Sequence, residues 1–311
     1  MDSFMARRAH WIVRNALVSV CTVGVLIAGI LAGGCGYIRS VATGGLIEDV
    51  SRAALENGDV DLVMQALPTY LLLMEGLIRD EPRNPESLRA VTEGYTDYAT
   101  LVEADDPRRA ADIFARAKHY GTAALIARRP AVEVLLSGPF SEFGDIDNHL
   151  RASDLPYVFW AASSWGAWIG AHADSMAALA DLPRVIHLMH WVLERDESFR
   201  NGGPHVFLGV YHAALPPLLG GKPEQSLLHF ERALELTEGH DLMARVQMAR
   251  FYARQTFDRE LYVSLLEQVL ASSVDTVPEL TLQNAAAQRL ARTLLKEVDV
   301  YSMESKRVPG L

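Results

Sequence analysis

Cysteine is nearly absent: the 311 residues hold two, Cys21 and Cys35. Two are too few for a disulfide scaffold or a four-ligand zinc site. Basic charge is also in deficit, with 29 Lys and Arg against 39 Asp and Glu and a net charge of −10. Phosphate neutralisation needs a basic surface, so no nucleic-acid partner is expected. Past residue 44 the chain has almost no strict alternation of apolar and polar residues, which excludes a strand-rich fold. No Gly-x-Ser-x-Gly elbow is present. The Gly202-Gly203 and Gly220-Gly221 pairs follow no strand and precede no Lys-Ser/Thr, so neither is a phosphate loop. What is there is a chain half hydrophobic and 22% charged, long enough for a real core and unlike a disordered or polytopic membrane protein.

The first 34 residues read as a targeting segment. Arg7, Arg8 and Arg14 precede a stretch from Asn15 to Ile38 without a charge. The run ends in Leu31-Ala32-Gly33-Gly34-Cys35. Small residues before a cysteine resemble a bacterial lipobox, with Ala32 where Leu is common, so Cys35 is the expected lipidation site. An uncleaved anchor is the alternative, because the run could span a bilayer. Removal of 1–34 takes three basic residues and one acidic residue and leaves −12. Gly36, not Asp, follows the cysteine, which favours an outer-membrane anchor facing the periplasm. The expected organisation is a signal peptide (1–34), a lipidated tether (35–45), a helical-repeat domain (46–300) and a C-terminal tail (301–311).

Helical periodicity then recurs, broken every 12 to 20 residues by Pro, Gly, Asn or Asp. The expected fold is all-α, with about eleven helices near 46–56, 60–80, 85–103, 107–129, 154–171, 181–195, 204–219, 223–237, 240–254, 258–272 and 277–299. Asp106-Pro107, Asp181-Leu182-Pro183 and Lys222-Pro223-Glu224 mark helix starts. The stretch 130–150 is the least regular. Within the helices a small, large, small pattern suggests a divergent tetratricopeptide-repeat array. Ala110, Phe114 and Ala117 fit it, as do Ser226, Phe230 and Ala233. Val185, Met189 and Val192 fit loosely, and Leu261, Leu265 and Gln268 more loosely still.

Candidate chemistry is sparse. On one predicted helix Tyr157, Trp160, Trp165 and Trp168 share an arc of about 140°, and Trp191 can face it from the next. Such a stripe either packs between repeats or walls an apolar ligand. Ser164 is a candidate acceptor for a buried indole. His187 and His190, with Glu194 a turn later, lack the pattern and the fourth ligand of a metal site. An enzyme using that pair is the catalytic rival. His205, next to the glycine pair, and Tyr211 complete the candidate ligand-binding set. No metal, cofactor or catalytic residue is expected.

One stretch runs Gly202-Gly203-Pro204-His205-Val206-Phe207-Leu208-Gly209-Val210-Tyr211, then Gly220-Gly221 and His229-Phe230-Glu231-Arg232-Ala233-Leu234. Leu155-Pro156-Tyr157, Phe257-Asp258-Arg259-Glu260-Leu261-Tyr262 and Ala287-Gln288-Arg289-Leu290-Ala291 accompany it. In this order, from about 46 to 299, the chain resembles the T-component lipoprotein family of TRAP transporters (TatT). Pro204 departs from the family pattern, and Ser302 to Leu311 has no match. The resemblance implies a noncatalytic periplasmic lipoprotein that forms a homotrimer and works with the periplasmic solute-binding protein of a TRAP transporter. It also implies a hydrophobic small-molecule ligand. A scaffold of the same fold in envelope assembly, without a small ligand, is the alternative, and predicts fully packed tryptophans.

Overall fold

The computed structural model describes residues 49–215 and 220–306, with side chains described to 297. Cys35, the targeting segment and the tether lie outside the described residues, as do Pro216, Pro217 and residues 307–311. Residues 49–54 are helical and form part of a separate unit. The other unit, from Leu55 onward, holds everything below.

That unit is all-α, with no strand among the described residues. Its main helices are α1 (Val60–Asp80), α2 (Pro85–Glu103), α3 (Pro107–Arg128), α4 (Leu155–Ala171) and α5 (Leu182–Leu193). There follow α6 (Phe199–Ala214), α7 (Pro223–Leu236), α8 (Leu242–Gln247), α9 (Arg259–Ala271) and α10 (Thr281–Lys306). The starts are written in the sequence. Asp59 accepts from the Leu62 amide, Asn84 from Glu86 and Ser87, Asp106 from Arg109 and Asp258 from Leu261. Each bond satisfies an amide that the first turn leaves free. Pro85, Pro107 and Pro223 sit in first turns, where a missing N–H costs nothing.

Some boundaries differ from the sequence reading. Asp181 does not cap α5, because its carboxylate accepts from Trp165 Nε1 at 3.1 Å and pairs with Lys118 at 3.6 Å and Arg184 at 3.3 Å. The last helix runs to Lys306 rather than 299, since no Pro or Gly interrupts it earlier. Helix α6 ends at Ala214, ahead of the proline pair. The irregular stretch is a string of short turns at Pro130–Val132, Glu133–Ser137, Phe140–Phe143 and Gly144–Asn148. Val132, Phe143 and Ile146, fully buried, pin it to the core, while most of its other residues are exposed.

Consecutive helices pack along one another, most extensively α2 on α3, α3 on α4 and α6 on α7. At the α3–α4 contact a Cβ on Gly121 would stand 2.6 Å from Ser164 Oγ and 3.2 Å from Ala161 Cα. Ser164 therefore fills the crossing and donates to the Ala161 carbonyl at 3.3 Å, and among the described residues no indole donates to it: Trp165 Nε1 goes to Asp181 and Trp191 Nε1 is unpaired. The triples Ala110–Phe114–Ala117, Val185–Met189–Val192 and Ser226–Phe230–Ala233 are buried throughout. The loosest fails: Gln268 is exposed, and α9 buries Tyr262, Leu265, Leu266 and Val269 instead. Arg289 on α10 meets Asp61 of α1 at 2.6 Å and Asp105 at 3.0 Å, so the last helix touches the first.

Candidate functional site

Between the helices lies a cavity of about 970 Å³. Asp97, Thr100 and Glu103 of α2, Phe159 and Trp160 of α4, and Phe207 and Tyr211 of α6 contribute to its wall. Two glycines make room for the rings. A Cβ on Gly166 would sit 2.5 Å from the Phe207 ring, and one on Gly203 would sit 2.9 Å from Phe159. Arg250, Phe251, Arg254 and Gln255 add a further wall. Arg250 and Phe251 come from Met248–Ala253, where α8 continues as a π-helix, and Arg254 and Gln255 follow it directly. Phe257 stands on the lining 92% exposed, with a left-handed φ of 57°. Cavities of this size and aromatic content accept drug-sized apolar molecules.

One wall rests on an unusual backbone. Arg200 (φ 50°, ψ 51°), Asn201 (φ 58°, ψ 41°) and Gly202 (φ 78°, ψ 22°) are successively left-handed. For a residue with a Cβ each such step costs about 1–2 kcal/mol. Only glycine fits the third position closely, because a Cβ there would stand 3.3 Å from the Ala233 backbone. The turn is held from both sides. Glu197 before it accepts from Arg232 at 2.5 and 3.1 Å and contacts His205 Nε2 at 3.0 Å. These partners hold the Glu197 carboxyl down at about 2. Arg200 itself pairs with Glu93 at 3.2 Å and lies 5.2 Å over the Trp160 ring.

The sequence candidates separate. Trp160 and Tyr211 line the cavity. Tyr157 is buried with its hydroxyl on Glu86, and that carboxylate, after burial itself, raises its pKa. Trp165 is 5% exposed and donates to Asp181, while Lys118 Nζ lies 3.5 Å from the Trp168 ring and 4.8 Å from that of Trp165. Trp191 is buried under Arg195, at 3.8 Å, with its Nε1 unpaired among the described residues. His205 hydrogen-bonds His229, Nδ1 to Nδ1, at 2.9 Å and fastens Glu197 through Nε2. Burial, then the neighbouring His205, His212 and His190, push His229 down to about 4. His187 pairs with Asp147 at 2.9 Å. No group of three or more potential metal ligands is placed to hold an ion among the described residues.

Burial separates Trp165 from Trp168, which is only partly covered. Trp165→Ala is expected to cost about 3–5 kcal/mol of stability, the range for a buried large aromatic, and Trp168→Ala clearly less. Urea unfolding of both variants checks this through the midpoint at constant slope.

Sequence reasoning missed Phe159, Phe207, Arg200, Asp97 and the 248–257 segment. The glycines Gly166 and Gly202 were the available signal, each marking a close approach that a side chain would block.

Fold and cavity together define an all-helical array protein built around an apolar space. The chain belongs to the TRAP transporter T-component family, whose model matches residues 56–301. That is a family of transporter accessory proteins, not of enzymes. A curated protein of Treponema pallidum (strain Nichols), described as an uncharacterized protein, is 24% identical over 276 residues, covering 82% of this chain and 84% of that one.

Proposed function

We propose that this T-component is a lipid-anchored protein facing the periplasm that docks the periplasmic solute-binding protein of a TRAP-type uptake system. It takes an apolar ligand into the cavity, either to hold it or to pass it on, and performs no chemistry on it. The observation that carries this reading is the aromatic-walled space of about 970 Å³ within a chain of this family. Trp160, Phe159, Phe207 and Tyr211 line it together. The segment Leu31-Ala32-Gly33-Gly34-Cys35 supports acylation at Cys35, and Gly36 supports the outer membrane over the inner. Anchoring raises the effective concentration of the protein near its partners. Association as a homotrimer belongs to the same reading.

The test is a crosslinked pull-down of the acylated protein from its own membrane, read by mass spectrometry. Recovery of a periplasmic solute-binding protein is the expected result, and Cys35→Ala should abolish it by releasing the protein from the membrane. Recovery of envelope-assembly proteins alone would replace this reading with that of a scaffold.

A further inference from the structure

The charges on the cavity wall are unevenly answered. Arg200 is engaged by Glu93 at 3.2 Å and by the Trp160 ring. Arg250 stands 3.8 Å from Glu103 and 5.5 Å over the Phe251 ring. Arg254 is exposed, so water satisfies it. The carboxylate of Asp241 accepts from the Ala244 amide at 3.1 Å and from Gln283 at 2.7 Å. Asp97 lines the same space half-buried, and has neither a hydrogen bond nor an ion pair among the described residues. Its neighbour Glu93 is already bound by Arg200 and by Arg89 at 3.3 Å. Asp97 is therefore the carboxylate left over on that wall.

Two neutral acceptors lie behind the same wall. Gln247 Oε1 and Gln255 Oε1 are buried on the lining and accept no hydrogen bond among the described residues. The Gln255 amide cannot be turned round to hide this, because its Nε2 already donates to the Leu215 carbonyl. Both oxygens are closed off from solvent, so Asp97 is the unpaired carboxylate that lines the open space. A ligand that complements this wall brings an N–H donor with positive charge to Asp97 and packs its apolar part against the aromatic lining. A carboxylate-headed molecule would meet Asp97 as a like charge.

Resting on the ligand-binding reading above, we propose that the cavity holds an amphipathic amine, its ammonium group on the Asp97 carboxylate and its apolar body against Trp160, Phe159 and Phe207. The wall also makes such binding sensitive to pH. Burial first, then Glu93, raise Asp97 to about 7, against the opposing charge of Arg200. Glu103 and Arg250, the other charged pair on the lining nearby, offset each other. A simple alkylamine stays protonated well above that range. Its affinity therefore rises with pH as Asp97 ionises, by about tenfold between pH 6 and pH 8.

The experiment is calorimetric titration of the full chain in detergent with two probes of one body and opposite heads, 4-phenylbutylamine and 4-phenylbutyrate, against empty micelles. The amine is expected to bind at least about tenfold more tightly, a difference that matches one unpaired charge in a partly dry site. Asp97→Asn should remove that preference and flatten the pH dependence, without moving the melting temperature by more than a degree or two. Equal or tighter binding of the butyrate overturns the amine assignment and leaves an apolar-ligand cavity standing. Binding of neither probe overturns both. Should Asp97→Asn fail to fold, the head-group comparison and the pH 6 to pH 8 series on the native chain decide alone, and a flat series overturns the role of Asp97.

Discussion

Phe230→Ala is expected to lower the unfolding free energy by about 3–5 kcal/mol, the cost of emptying a fully buried aromatic site. The ring is completely buried in a core with Leu242, Val246, Ala249, Leu266 and Ala287, which join α7, α8, α9 and α10. On its other side it lies against α6, where a Cβ on Gly209 would come within 3.1 Å of three ring carbons. Ser226, one turn before, fixes the same crossing by donating to the Gly209 carbonyl at 2.8 Å. Alanine would therefore open a void that four helices line and none can fill without shifting. Helices do not slide cheaply in an interior packed like a crystal. Chemical unfolding should show a large fall in midpoint with an unchanged slope. A loss below about 1 kcal/mol would mean that the C-terminal helices collapse onto the site and that this core is softer than its burial implies.

Asp154→Ala ranks next, with an expected loss of about 3 kcal/mol, the lower end for breaking a buried ion pair because both arginines keep some contact with water. The carboxylate is fully buried just before α4. It accepts from Arg129 at 2.5 Å, from Arg128 at 2.8 Å and from the Arg151 amide at 2.9 Å. One side chain thus ties the end of α3 to the start of α4 across the irregular insertion. Alanine leaves two guanidinium groups facing an empty, poorly solvated place. Burial alone would raise the Asp154 pKa, but the bonds from Arg129 and Arg128 outweigh it and hold it below the ordinary carboxylate value. A depressed folded pKa means stability that is present above the unfolded value, near pH 4, and lost as pH falls through the folded one. The gap between native and variant proteins should be full at neutral pH and close in acid, which thermal melts at pH 7 and pH 3 would measure.

The helices were legible because their ends carry local chemistry. Asn84-Pro85 and Asp106-Pro107 fix a start within a residue, whatever packs against them later. Asp181-Leu182-Pro183 marks the start of α5 equally well, although Trp165, Lys118 and Arg184 draw its carboxylate away from capping. The aromatic arc was legible as an arc but not as a site. Four rings spread over about 140° of one helix cannot face a single neighbour. Tyr157 turns to Glu86, Trp165 and Trp168 to Lys118 and Asp181, and Trp160 alone of the four reaches the cavity. Nothing in a linear reading separates these fates, because each is decided by a residue tens of positions away. Asp97 is a plain acid on an amphipathic helix until Arg200 is brought near it. Arg200 arrives there through a left-handed turn whose one overt mark is Gly202. The membrane anchor rests on Leu31 to Cys35, which lie outside the described residues.

The π-helix at Met248–Ala253 joins the cavity wall to the core, with Arg250 and Phe251 on one side and Met248, Ala249 and Ala253 on the other. An α-helix advances about 100° per residue, and a π-turn absorbs one extra residue as a local swelling. Here the swelling lets α8 bury Leu242, Ala244 and Val246 and still present Arg250, Phe251 and Arg254 to the cavity. Loss of one residue would restore a regular helix and turn a different set of side chains inward, and would shift Met248, Ala249 and Ala253 of the Phe230 core with them. Chain length within this single turn is therefore an evolutionary dial on what the cavity accepts, separate from the composition of its walls.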